Sequence, residues 1–166
     1  MFGSTQAMKF TPIAVAWLLT IGVDLFFNAG LFAGLFDQSK EPSLLADEVL
    51  FRRIPVAYIA LAVAVIVLAW LVDRLDVLEM RHGLVLGALA GGVAALLGIV
   101  SLWTAIDMTG AFVLAGALVQ VVELGVAGAF LGAYRGEPEP RRWVRRGLAL
   151  AVTLAVLGIV LQNVFT

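Results

Sequence analysis

Apolar residues along this chain gather into five long runs, and nearly all of the charge falls in the short stretches between them. The runs cover residues 13–36, 54–72, 84–106, 111–134 and 148–165. Each is close to the roughly 20 residues that a helix needs to cross a bilayer. Apolar side chains all round, rather than on one stripe, are the mark of helices immersed in lipid. The pattern predicts an all-α, integral membrane bundle of five transmembrane helices, forming one membrane domain over residues 1–166. Lys9 followed by an apolar run resembles a signal peptide, but the run is longer than the ~7–15 residues of a signal core and no A-x-A site follows. It is expected to be retained as the first helix.

The connections are short. DMTG (107–110) reads as a tight hairpin, and DRLDVLEMRH (73–82) and RGEPEPRRWVRR (135–146) read as charged loops. The longest connection, DQSKEPSLLADEVLFRR (37–53), has a plausible helix start at Pro42-Ser43, with Leu44, Leu45, Val49 and Leu50 set among Asp47, Glu48, Arg52 and Arg53. A short interfacial helix over 43–53, lying on the outer surface, is expected. Pro55 falls in the first turn of the second span, where its missing N–H costs nothing.

Composition strengthens the membrane assignment. Hydrophobic residues make up 62% of the chain and charged residues 14%, against about half and a quarter in soluble domains. A net charge of −1 gives no reason to expect nucleic acid. The absence of cysteine removes disulfides, thiol catalysis and thiolate metal sites, and the single histidine, His82, leaves no all-protein metal site that needs two imidazoles.

Charge distribution gives an orientation. With five spans, eight of the eleven Lys and Arg residues lie on the side of the N-terminus and three on the other. The positive-inside rule then puts the N-terminus in the cytoplasm and the C-terminus outside, in an inner (plasma) membrane. Arg141, Arg142, Arg145 and Arg146 surround Trp143 and are expected to meet anionic lipid, at about 1 kcal/mol each. Trp17, Trp70, Tyr134 and Trp143 on one side, and Tyr58, Trp103 and Phe165 on the other, read as interface anchors.

Small residues at spacing four predict where backbones approach. Gly83, Gly87, Gly91 and Ala95 form the longest stripe; Gly128, Gly132 and Gly136 form another, and Gly30 with Gly34 and Gly147 with Ala151 and Ala155 form shorter ones. The first stripe suits packing within the chain. The alternative is a homo-oligomer or a partner membrane subunit docked through Gly83, Gly87 and Gly91.

Two acidic residues fall inside spans, Asp24 and Glu123. Each is within about one residue, ~1.5 Å, of the middle of its span. A centred carboxylate costs ~2.5–3.5 kcal/mol on insertion scales, so neither is expected to face lipid. Asn28 follows Asp24 by four residues and Gln120 precedes Glu123 by three. Because the two helices run in opposite senses, both amides sit on the same side of the carboxyls. Thr20 extends the first stripe the other way. Two carboxyls in contact would share one proton and titrate as a unit. Thr20, Asp24, Asn28, Gln120 and Glu123 are therefore the candidate proton, ion or ligand site. Ser101, Thr104 and Asp107 make a second, outer polar stripe. An aspartyl-protease dyad fits poorly, because one member is a Glu in VQVVELG and no Gly-bearing Asp motif is present. No catalytic residue is assigned.

The run RHGLVLGALAGGVAALLGIVSLWTAIDMTG, followed by Gln120, Glu123 and Gly128, resembles uncharacterised small polytopic bacterial membrane protein families. In those a Gly-rich helix leads to a polar hairpin and a helix bearing acidic residues. The resemblance covers the third and fourth spans and implies no activity. On its residues, the chain reads as a small transport or ion/proton-responsive protein. Two other readings stay open: an accessory or assembly subunit of a larger membrane complex whose polar network is structural, and haem or pigment binding through His82.

Overall fold

The computed structural model describes residues 10–35, 47–104 and 107–165. These form five long helices: α1 (Phe10–Leu31), α2 (Asp47–Arg74), α3 (Met80–Trp103), α4 (Gly110–Gly136) and α5 (Pro140–Phe165). All five are long and apolar enough to cross a membrane. The described residues are thus an all-helical bundle of five helices, compatible with a multi-pass membrane protein. The start of α1, the α2–α3 turn and the α4–α5 turn share one end, called here the basic end.

The helices are longer than the apolar runs, at the expense of the loops. α3 begins at Met80 and α5 at Pro140, so the charged connections shrink to residues 75–79 and 137–139. The polar residues at these helix ends are mostly exposed, and the backbone keeps its helical bonds beyond the apolar runs. The interfacial helix expected over 43–53 is not a separate element from Asp47 onward. Those residues are the first turns of α2, which passes through Pro55 unbroken. Residues 43–46 lie outside the described residues, as do Phe36 and residues 105–106 at the expected ends of the first and third spans. At the start of α4, the Thr109 hydroxyl accepts from the Phe112 N–H at 3.3 Å and caps the helix.

Glycine sets the packing. α3 and α4 make the closest pair in the molecule. Gly83 lies against the carbonyl of Gly128, Gly87 against that of Leu124 and Gly91 against that of Gln120; Gly132 and Gly136 meet the carbonyls of Glu79 and Leu78 in return. No side chain would fit at these crossings, so the longest glycine stripe is taken up by α4 of the same chain. α1 and α5 form a second close pair through Gly22 against Ala151 and Gly158 against Leu25. Between the pairs lies an apolar core of Val15, Leu19, Leu68, Leu124, Phe130 and Leu131. α2 packs least, through Val65, Leu68, Ala69 and Val72.

Two helices widen part-way. α1 is α-helical to Asp24 and π-helical over Leu25–Leu31, closing with the Phe32 N–H on the Phe27 carbonyl at 2.6 Å. α3 is π-helical over Leu96–Val100. Such segments are rare and gather at functional sites. In α1 the change begins at the residue after the intramembrane aspartate.

Candidate functional site

The two mid-helix carboxyls are neighbours in the bundle. Glu123 projects from α4 into the bundle with 4% of its surface exposed, and its carboxyl is within hydrogen-bonding reach of the Asp24 carboxyl on α1. Their matched depth brings them level, and the contact between α1 and α4 closes the remaining gap.

Asp24 is the hub. Its Oδ1 accepts from Asn28 Nδ2 at 2.6 Å, and its Oδ2 accepts from the Tyr58 hydroxyl at 3.0 Å. Asn28 reaches back one turn along its own helix. Tyr58 comes from α2, so the cluster ties three helices together. The indole of Trp17 donates to the Tyr58 backbone carbonyl at 3.0 Å, a second tie between α1 and α2 at the same residue. Asp24, Asn28 and Tyr58 are half-buried, so the cluster is enclosed on the Glu123 side and more open on the α2 side. One polar atom is left over: Asn28 Oδ1 is buried and finds no hydrogen-bond partner among the described residues.

The other expected members stand apart. Thr20 is fully buried, and its hydroxyl donates to the Trp17 carbonyl at 2.7 Å, one turn back on its own helix. A hydroxyl satisfied in this way has nothing left to donate to a carboxyl one turn on. Gln120 is half-buried, its backbone carbonyl lies under Gly91, and it takes no part in the hydrogen bonds around Asp24. Ser101, Thr104 and Asp107 are exposed; the Thr104 hydroxyl donates to the Ser101 carbonyl at 2.7 Å, a local bond rather than a second polar site.

Sequence reasoning passed over Tyr58, placing it with the interface aromatics. The missing signal was the partner: nothing in YIALAVAV says which residue on another helix the hydroxyl will reach. Arg135 was passed over similarly, as one basic loop residue among several. Its guanidinium clasps the basic end of α2, donating to the carbonyls of Val72 at 2.8 Å and Asp73 at 3.2 Å and pairing with the carboxylates of Asp73 and Asp76, both at 3.2 Å. Both carbonyls already accept from the turn, Val72 from the Val77 N–H at 3.0 Å and Asp73 from the Asp76 N–H at 3.2 Å, so Arg135 adds a second, charged donor to each and complements the helix dipole. Asp76 turns the chain away with φ 51°.

His82 stands at the surface, its side chain 68% exposed and 3.4 Å from Glu79. Arg141, Arg142, Arg145 and Arg146 are exposed around the start of α5; Arg142 pairs with Glu139, and Arg146 lies over the Trp143 ring. The Trp143 indole donates to Glu137 at 3.0 Å. Among the described residues no group of three or more His, Cys, Asp or Glu is placed to hold a metal ion. The surface groove lined by Ala88, Gly92, Leu96, Ala117 and Val121 is apolar and lies on the α3–α4 pair, away from the carboxyls. Comparison with family models, with curated proteins and with solved structures gives no match to this chain.

Proposed function

We propose that this is a small transport or ion/proton-responsive membrane protein, with Asp24 and Glu123 as its working pair. The observation that carries the reading is the contact between two mid-span carboxyls within an incomplete polar shell. A hydrogen bond between two carboxyl groups exists only with a proton between them. Without that proton, two like charges face each other in a poor dielectric, and a cation must take its place. The pair therefore holds a proton or a small cation, and losing one invites the other.

A purely structural network is the competing reading. Such networks are favourable when every member is satisfied. The unfilled Asn28 Oδ1 and the partial exposure of Asp24 favour a site that exchanges a ligand. Asn28 belongs to the π-helical segment, where the backbone has departed from the α-helix beside the site. In a membrane, ionisable residues that face a bundle interior mark ion and proton pathways.

The basic end carries Arg141, Arg142, Arg145 and Arg146, so it is assigned to the cytoplasmic side of an inner membrane, in contact with anionic lipid. The opposite end, toward which Asn28 lies, then faces outside. Flux of protons and of alkali cations into proteoliposomes tests the reading. Wild-type protein is expected to give flux that both Asp24→Asn and Glu123→Gln abolish. No flux in wild type, or flux untouched by both substitutions, sinks it.

A further inference from the structure

α2 meets the bundle along one stripe, and the stripe begins at Tyr58. Tyr58, Leu61, Ala62, Val65, Leu68, Ala69 and Val72 share one helical face, each three or four residues from another member, and all are buried or half-buried. The same face continued toward the start of the helix would bring in Phe51, Ile54 and Pro55. All three are exposed, and so is every residue from 51 to 57. Seven consecutive exposed residues are about two turns of helix, so among the described residues no face of this segment is buried as the stripe below Tyr58 is, Ile54 being the least exposed of the large apolar side chains at 37%.

The segment does not simply project beyond the others. The Tyr58 hydroxyl reaches Asp24 while its backbone carbonyl reaches Trp17, about two turns nearer the basic end, and α1 and α2 run in opposite senses. Residues 51–57 therefore run past Asp24 and alongside the π-helical segment bearing Asn28. The start of the α2 span therefore stands off from the part of α1 that leads to Asp24. Below Tyr58, by contrast, α2 is held by its core stripe and by the Arg135 clasp.

We infer that residues 51–58 of α2 are the movable wall of the carboxyl site, latched by the two bonds at Tyr58, so that a proton or monovalent cation reaches Asp24 between α1 and α2 from the end opposite the Arg135 clasp. This rests on the reading of the pair as a proton or cation site. Tyr58 is the first residue from Phe51 onward that is half-buried, and its hydroxyl lands on Asp24 Oδ2. The second bond, from Trp17, holds the Tyr58 backbone. Pro55 lacks an N–H, which leaves the Phe51 carbonyl without its helical partner and softens the helix inside the wall. When the latch opens, Asp24 Oδ2 loses its phenolic donor and is free to accept an entering ion. Tyr58 is a positioning residue in this scheme.

The chain has no cysteine, so introduced cysteines are unique labelling sites. Spin labels on the exposed pair Leu31→Cys and Val56→Cys report the wall, and labels on the exposed pair Phe10→Cys and Leu75→Cys report the basic end. Double electron–electron resonance in liposomes reads both pairs without any flux. Tyr58→Phe and Trp17→Phe are each expected to broaden the Leu31–Val56 distribution toward longer distance, and together to broaden it further. The Phe10–Leu75 distribution is expected to stay unchanged. An unchanged Leu31–Val56 distribution in the double variant overturns the wall, as does equal broadening of both pairs. A wall that opens in a protein without flux sinks the proton or cation reading and leaves the wall standing. Flux with an immobile wall does the reverse.

Discussion

The α3–α4 crossing makes a demand that can be tested one methyl group at a time. A Cβ built on Gly87 would overlap the Leu124 carbonyl oxygen, stand 2.8 Å from its carbon and 3.1 Å from the Gly125 Cα. All three are backbone atoms of α4, so no rotamer change relieves the clash. Relief requires the helices to part by roughly 1 Å, and a gap of that size forfeits about a quarter to a half of each dispersion contact along the seam. Gly83 and Gly91 lose their contacts in the same movement. Overpacking of this kind costs ~1–3 kcal/mol, and the coupled losses place Gly87→Ala toward the upper part of that range. That is a decrease of ~5- to 150-fold in the folding equilibrium constant. Gly92 lies one residue beyond Gly91 on the same helix, with nothing within 4 Å of a Cβ built there. Gly92→Ala should therefore be neutral, or stabilising by up to ~1 kcal/mol through helix propensity. Reversible unfolding in mixed micelles, followed by tryptophan fluorescence, measures both. Equal effects at positions 87 and 92 would refute close backbone packing as the origin of the α3–α4 pair.

Two further outcomes follow from side chains that the sequence alone undersold or oversold. Arg135→Gln should destabilise the protein by about 2 kcal/mol in the same unfolding assay, because it withdraws charged hydrogen bonds from the end of α2; Arg135→Lys should recover only part of this, since an ammonium cannot fork across two carbonyls and two carboxylates. His82→Gln should leave both the unfolding midpoint and the visible absorption of the purified protein unchanged, because the imidazole is exposed and its ionic partner among the described residues is the equally exposed Glu79. A chromophore present in wild type and lost in His82→Gln would revive the haem or pigment reading.

The five spans were legible because lipid imposes a simple rule on composition and length, and the chain obeys it from Phe10 to Phe165. Matched depth pointed to Asp24 and Glu123, since helical rise turns sequence position into height. Height says nothing about azimuth, which is why the site's other members were harder to name. Thr20 shares a stripe with Asp24, yet its hydroxyl is spent on the Trp17 carbonyl. Gln120 is near Glu123 in sequence, yet its carbonyl lies under Gly91 while Asn28 bonds Asp24. Tyr58 was hidden because its role depends on how α2 is rotated and docked. That is decided by Val65, Leu68 and Val72 on one side and by Arg135 on the other. The separate helix over 43–53 failed for a different reason. The charged residues among Leu44, Leu45, Val49 and Leu50 suggested a surface segment ahead of a span starting near Ile54, but Pro55 removes only one bond and the helix runs on from Asp47 through it.

The uneven packing explains how one small bundle can be stiff and loose at once. Asp24 belongs to the α1–α5 pair and Glu123 to the α3–α4 pair, and each pair is locked by backbone contacts at glycine. Backbone contacts of that kind have two states, touching or apart, so within each pair the carboxyl has little room to drift. The apolar core between the pairs then fixes the distance from one carboxyl to the other. α2 shares none of the glycine crossings, and its grip on the bundle weakens from the Arg135 clasp toward Phe51. Interhelical hydrogen bonds in membranes average only ~0.6 kcal/mol. The two bonds at Tyr58 are therefore weak enough to be broken thermally, while the glycine seams are not. On the proposed reading, a site that holds two carboxyls together and still exchanges what lies between them uses that asymmetry: a rigid frame for the charges and a wall held by bonds of order RT.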